Sequence, residues 1–334
     1  MYPIHRSVST DSIRVARVAG EHAPAAGPGR LAHVGALRFA GPDAVNFLQG
    51  QVSNDTRRLA EGAPLLAAYS SAQGRVIAVL HLLPHSSGVI ALLPRDVLGA
   101  TCERLRKFVL RAKVKIEDVS DRLSVIGVLG TEGLRAAGLP APDIRGYLER
   151  DGIGIARVAP TAQGESSRYW MIREAGPAES DVAPDIETAW RLADIRAGLP
   201  TVYAATSEAF VAQMLNLDLI DGISFSKGCY TGQEIIARTQ HLGRIKRRMV
   251  RLRLAAREWS IGGSVQLADG RAARLIELAP ADGHVEALAV RNVEAGAAAE
   301  GAPGERASGE RAPGDPLSDG IELTLPYSVF SSAR

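Results

Sequence analysis

The stretch F-V-A-Q-M-L-N-L-D-L-I-D-G-I-S-F-S-K-G-C-Y-T-G-Q-E-I-I-A-R-T-Q-H-L-G-R-I-K-R-R, Phe210 to Arg248, is the most informative in the chain. At its centre K-G-C-Y-T-G-Q-E, Lys227 to Glu234, carries Cys229, one of two cysteines in 334 residues. Thr231 and Glu234 have the spacing of a helix capping box. The apolar positions that follow, Ile235, Ile236 and Leu242, predict a helix to about Gly243. Cys229 then lies two residues before the N-cap, beside the positive end of the helix dipole. Lys227 precedes it by two residues. A nearby cation and a helix N-terminus each lower a cysteine pKa from its free value of about 8.5, so the pattern predicts a reactive thiol. Gly228 and Gly232 leave room for another molecule to approach. Cys102 contrasts with it: Cys102, Leu105 and Val109 share one helical face, which predicts a core position.

Outward from this segment, Ile186 to Ala197 is predicted helical and stops at Gly198-Leu199-Pro200. Trp190 shares a stripe with Ala193 and Ala197. Small neighbours leave an aromatic face open to a flat heterocycle, although an ordinary core tryptophan has the same pattern. Gln49, Gln51, Asn54 and Asp55 follow a short helix and read either as hydrogen-bonding groups for a ligand or as a capped turn. Arg238, His241, Arg244, Lys246, Arg247 and Arg248 form a basic group that suits an anion or a solvated helix end. No metal-ligand pattern is visible. His81 and His85 are four apart but flank Pro84 in a strand, and two unlike cysteines fall short of the four of an iron–sulfur site.

The remaining pattern is α+β. Leu37 and Phe39 mark a first strand, and Gly41-Pro42-Asp43 opens a helix with Pro at its first position. Leu65 to Ser71 and Arg75 to Leu83 form a hairpin, followed by a helix from Arg95 to Arg111 and a strand from Lys113 to Val119. A β-α-β-β set follows between 121 and 185. Short strands from Lys246 onward suit a small β-barrel. Residues 1–30 and 294–320 are rich in Ala, Gly and Pro and are expected to be disordered, the second as an insertion in the last barrel hairpin. The expected organisation is a domain of 31–120 plus 186–245, an inserted subdomain at 121–185 and a barrel at 246–334.

Net charge of +2 argues against a polyelectrolyte partner such as nucleic acid. Scarce cysteine, no apolar leader and no long apolar run predict a cytoplasmic chain without membrane or disulfide framework.

The Phe210–Arg248 segment resembles the YgfZ family of folate-binding proteins implicated in iron–sulfur cluster maturation. That family is related in fold to the T-protein, the aminomethyltransferase of the glycine cleavage system. F-L-Q-G-Q-V-S-N-D at Phe47 to Asp55, A-W-R-L-A-D-I-R-A-G-L-P at Ala189 to Pro200 and L-P-Y at Leu325 to Tyr327 agree in order. The resemblance covers roughly residues 31 to 330. It implies a T-protein-like multidomain fold, with mixed α/β subdomains around a central cavity and a C-terminal small β-barrel. It implies tetrahydrofolate or a folate derivative as ligand, with Trp190, Arg196, Gln49, Asn54, Asp55, Tyr230, Gln233 and Glu234 around it. It also implies that Cys229 and Lys227 carry the chemistry, that iron–sulfur client proteins are transient partners of a monomer, and that any effect on tRNA modification is indirect. The family's second folate-contacting tryptophan aligns near Val34. Ala78, Val79 and Arg196 stand where the T-protein carries carboxylates, so tetrahydrofolate-dependent aminomethyl transfer or demethylation is the alternative reading.

Overall fold

The computed structural model describes residues 28–142, 146–158, 167–176, 186–242, 245–293 and 320–327. Of the two stretches expected to lack structure, 1–27 and 294–319 lie outside these residues. Gly29–Arg30 form a short strand, β1, and Gly320 opens the last strand.

The first sheet is built from β2 (Val34–Ala40), then, after helix α1 (Ala44–Gln49), β3 (Leu65–Ser70), β4 (Val76–His85) and β5 (Gly88–Pro94). Helix α2 (Arg95–Arg106) leads to β6 (Lys115–Asp118). The strand order is β3-β4-β5-β2-β6, antiparallel throughout. β4 reads as a nearly continuous apolar run because both of its faces are buried. Leu80 and Leu82 pack on the side of α1 and α2, while Val79 and Leu83 face the centre of the molecule. Cys102 is buried on that α2 side, and burial pushes its thiol pKa up. Two sequence expectations shift here. Pro42 precedes the start of α1 rather than occupying its first turn, and α2 ends at Arg106 rather than Arg111.

The second sheet contains β7 (Leu123–Leu129), helix α3 (Gly130–Ala136), β8 (Tyr147–Arg150), β9 (Ile153–Arg157) and β10 (Arg168–Glu174). Its order is β1-β7-β10-β9-β8, so β1 from upstream of the first sheet completes its edge.

Helix α4 (Ile186–Ala197) and helix α5 (Gln233–Leu242) precede the third sheet. That sheet is β11 (Arg247–Leu254), β12 (Ser264–Gln266), β13 (Ala272–Ala281), β14 (His284–Asn292) and β15 (Gly320–Leu323), in the order β12-β13-β14-β11-β15. It curls into a half-barrel, and a single parallel bridge between Leu267 and Gly320 brings its two edges together.

One apolar cluster spans the three sheets and includes Trp170, Trp190, Ile236 and Leu288. Helix α4 ties the same three units by charge. Glu187 accepts from the His33 backbone N–H at 3.1 Å, next to the first sheet. Asp194 pairs with Arg168 of β10. Arg191 donates to the Tyr203 hydroxyl at 2.9 Å, which donates to Glu277 of β13 at 2.7 Å. Arg196 pairs with Glu286 of β14 at 2.8 Å. Removing a partner from the buried Arg168–Asp194 pair is costly because the survivor stays buried and uncompensated.

Candidate functional site

Cys229 is held out into solvent by its neighbours. In the run Lys227-Gly228-Cys229-Tyr230 the first and last residues are buried and the middle two are exposed. The Lys227 ammonium donates to the carbonyls of Val52 at 2.8 Å and Asn54 at 2.7 Å. It also lies 5.0 Å from the centre of the Tyr230 ring, a cation–π contact. Burial pulls its pKa from 10.5 to about 8. Lys227 is therefore an anchor beneath the loop, with its ammonium committed to two backbone oxygens. This differs from the sequence picture of a free cation beside the sulfur.

The strip from Gly50 to Asn54 is the dock for this loop. Ser53 donates to the Gly222 carbonyl at 2.6 Å, the Ser224 N–H donates to the Ser53 carbonyl at 3.0 Å, and the Thr231 N–H donates to that of Gly50 at 3.3 Å. Asn54 donates to Leu66 at 2.8 Å and to Asp221 at 2.6 Å, both through backbone carbonyls. Gln49 bonds Asp55 and Thr56. Asp55 caps the short 3-10 helix Thr56–Glu61, and the Arg57 guanidinium beside it holds its carboxyl well below the usual carboxylate range. Ser53 and Asn54 are thus occupied in fixing the thiol loop to the first sheet, while Gln49 and Asp55 bond within their own segment.

At the helix start, the Tyr230 N–H donates to Gln233 Oε1 at 3.3 Å, one residue out of register with the Thr231–Glu234 spacing. Glu234 is exposed. Gly232 has φ of +83°, and a side chain there would lie 2.6 Å from the Ser71 carbonyl oxygen. The turn after Cys229 therefore seats directly on the β3–β4 hairpin.

Trp190 is completely buried. Its ring centre is 4.5 Å from that of Trp170 and 5.2 Å from the Arg168 guanidinium, and its edge fills the space left by Gly127. The alanine stripe thus fits the helix into the core, and the ring faces are already covered. Arg196 likewise points to Glu286, which also binds Arg251 at 2.6 Å. Burial pushes the Glu286 carboxyl up, but the two guanidinium groups outweigh it and hold it below its ordinary value. In the basic group, Arg248 is buried against Asp218 at 2.6 Å, while Arg238, Lys246 and Arg247 are exposed.

Two small cavities lie at the meeting of the sheets, separated by the His81 and Trp170 rings, whose centres are 5.3 Å apart. The outer one, about 180 Å³, is bounded by Leu66, Leu83, Arg157, Trp170 and Asp221. The inner one, about 30 Å³, is bounded by Val34, Val79, Trp190 and Asp194. Val34 and Val79, where the resemblance expects a tryptophan and a carboxylate, thus place apolar side chains at this cavity. Cys229 lines neither cavity. Burial pulls the His81 pKa down to about 4, so its ring is neutral at pH 7. The indole N–H groups of Trp170 and Trp190 have no hydrogen-bond partner among the described residues, which fits a polar ligand or ordered water at the centre. Drug-sized ligand sites usually span about 300–1,000 Å³, so the outer cavity is small for a whole ligand of that size.

His81, Trp170 and Asp194 border these cavities, and Arg168 binds Asp194; the sequence patterns singled out none of the four as site residues. The signal for His81 was strand alternation, since it shares a face with Val79 and Leu83. Trp170 similarly shares a face with Ile172.

The fold is that of the aminomethyltransferases of glycine cleavage. The crystal structure of the glycine cleavage system aminomethyltransferase T from Bartonella henselae superposes with a TM-score of 0.60 at 14% identity, over 80% of this chain and 78% of that one. Sequence narrows the class further. The tRNA-modifying protein YgfZ of Colwellia psychrerythraea is 33% identical over 226 residues, 65% of this chain and 68% of the relative. Those of Pectobacterium carotovorum and Serratia proteamaculans are 32% and 34% identical, over 63% and 62% of this chain and 65% and 64% of theirs. No family model matches. The chain belongs to the YgfZ family. No helix among the described residues is long and apolar enough to cross a membrane.

Proposed function

We propose that this protein is a folate-binding accessory factor in iron–sulfur cluster assembly or repair, acting through the thiol of Cys229. Its effect on tRNA modification is indirect, through iron–sulfur enzymes that modify tRNA. The observation that carries the reading is the presentation of Cys229: Lys227 and Tyr230 are pinned inward and Gly228 leaves the sulfur open to another protein. A folate derivative is the proposed ligand of the central cavities, with His81, Trp170 and Trp190 as its surroundings. The partners are client proteins bound transiently by a cytoplasmic monomer.

Aminomethyl transfer is the second reading, favoured by the fold likeness and by the Asp194 carboxylate at the inner cavity. Against it, Asp194 is neutralised by Arg168, and Ala78 and Val79 are packed apolar positions.

The test is complementation of a strain lacking its own factor, read out by iron–sulfur enzyme activity and by the modified nucleosides they make. Cys229→Ala should fold normally and fail to rescue. Full rescue would make the motif structural. Turnover of an aminomethyl carrier by purified protein at about 1 per second or faster would favour the transferase.

A further inference from the structure

Strand β2 alternates. Leu37 and Phe39 pack toward α1 and α2, while Ala36 and Arg38 take the opposite face. Arg38 therefore puts a charge where the first and second sheets meet. There it borders a cleft of about 560 Å³, larger than either central cavity and sharing no residue with them. That volume falls within the range of about 300–1,000 Å³ usual for small-molecule sites. The two walls are clamped together: Glu149 of β8 accepts from the Ser86 backbone N–H at 2.8 Å and from the Ser86 hydroxyl, both in the β4–β5 turn.

The charges at the Arg38 end do not balance. Glu117 of β6 pairs with Arg38 at 2.6 Å, with Lys115 at 2.9 Å and with Arg122 at 3.6 Å. Three cations thus share one carboxylate, which Arg38 and Lys115 pull down to about 2 and so keep charged. Arg38 and Arg122 border the cleft, and Lys115 lies outside it. Nε of Arg38 is buried and has no acceptor among the described residues, which is rare for a buried donor. The facing wall leans the other way, with Glu149, Asp151 and Glu174 against Arg173. Glu149 is occupied by Ser86 and by the Tyr147 hydroxyl at 3.1 Å, so Asp151 and Glu174 are the acids that face solvent.

We propose that this cleft is a second ligand site, which takes a small zwitterion with its carboxylate or phosphate against Arg38 and Arg122 and its cationic end toward Asp151 and Glu174. Guanidinium forks match the oxygens of either anion. Asp151 and Glu174 are exposed, so they contribute less than the arginines and act mainly against a ligand that is anionic at both ends. The site is independent of the folate reading, because the central cavities share none of its residues.

The test is calorimetric titration of the full chain at low ionic strength. Phosphoethanolamine and β-alanine are the zwitterions, inorganic phosphate and acetate the anions alone, and ethanolamine the cation alone. At least one zwitterion should bind more tightly than its own anion, and the tighter of the two assigns the group as phosphate or carboxylate. Ethanolamine should not bind. The Arg38 side-chain Nε–H resonance should shift as the ligand is added. Arg38→Gln should weaken binding about 10-fold or more. Arg122→Gln, at an exposed position, should weaken it about 3- to 5-fold and carries the test if Arg38→Gln fails to fold. Lys115→Gln removes a charge from the same cluster outside the cleft and should leave affinity within about 2-fold. No binding of either zwitterion at about 10 mM, an Arg38 resonance that does not move, or equal losses in Arg122→Gln and Lys115→Gln overturns the site. An anion that binds as tightly as its zwitterion overturns the assignment of the ligand class.

Discussion

Lys227 offers a test of how Cys229 is presented, because its burial makes the stability of the protein rise with pH in an alkaline window, well above the acidic one in which carboxylates titrate. Its pKa is about 8 in the folded chain against 10.5 for a free lysine. The unfolded chain therefore holds a proton that the folded chain has lost between those two values, and stability must rise with pH across that window. A gap of about 2.5 corresponds to about 3 kcal/mol between the charged and neutral forms. Below about pH 8 the folded protein carries the full cost of the buried charge, and above 10.5 that cost is gone. The neutral amine still has two hydrogens for the carbonyls of Val52 and Asn54. Tyr230, whose phenol burial pushes up to about 12, keeps its neutral ring against the amine throughout. The perturbation is Lys227→Met, which removes the titrating group and leaves both carbonyls without their donor, a loss of about 1–3 kcal/mol for each buried acceptor left unsatisfied. The assay is urea unfolding of wild type and variant at several pH values. The stability gap between them should widen by about 2–3 kcal/mol from about pH 7 to about pH 10, other titrating groups cancelling in the difference. A gap that stays constant or narrows would refute the buried-anchor account.

Two further outcomes follow from the same loop. Brief alkylation of the native protein at neutral pH should label exposed Cys229 and spare Cys102, which is buried and whose thiol burial holds protonated; peptide mass spectrometry showing equal labelling would contradict this. Gly232→Ala should destabilise the protein by more than about 1 kcal/mol, since it combines a left-handed backbone with a contact 2.6 Å from the Ser71 oxygen; an unchanged thermal midpoint would mean that the turn does not seat on the hairpin.

Much of this architecture was legible in the residues. Helix α4 spans the predicted Ile186–Ala197, because apolar spacing and the Gly198 stop are local signals. Strand β7 spans the predicted Leu123–Leu129 for a similar reason. Strand β5, in contrast, was not called, although its run G-V-I-A-L-L-P is apolar. Short apolar runs do not declare their element by periodicity. The motif around Cys229 and the family to which it points were likewise local.

The roles of the charged and aromatic side chains were decided elsewhere. Lys227 lies two residues from Cys229 in sequence, yet its ammonium is claimed by carbonyls 175 and 173 residues away. Arg196 finds Glu286 across 90 residues, and Trp190 finds Trp170 on a strand of another sheet. A sequence pattern specifies which face of a helix or strand is apolar, since that depends on neighbours three, four or two positions away. Which donor meets which acceptor depends on how three sheets close around α4, and a long flexible side chain takes whatever partner that closure brings within about 3 Å.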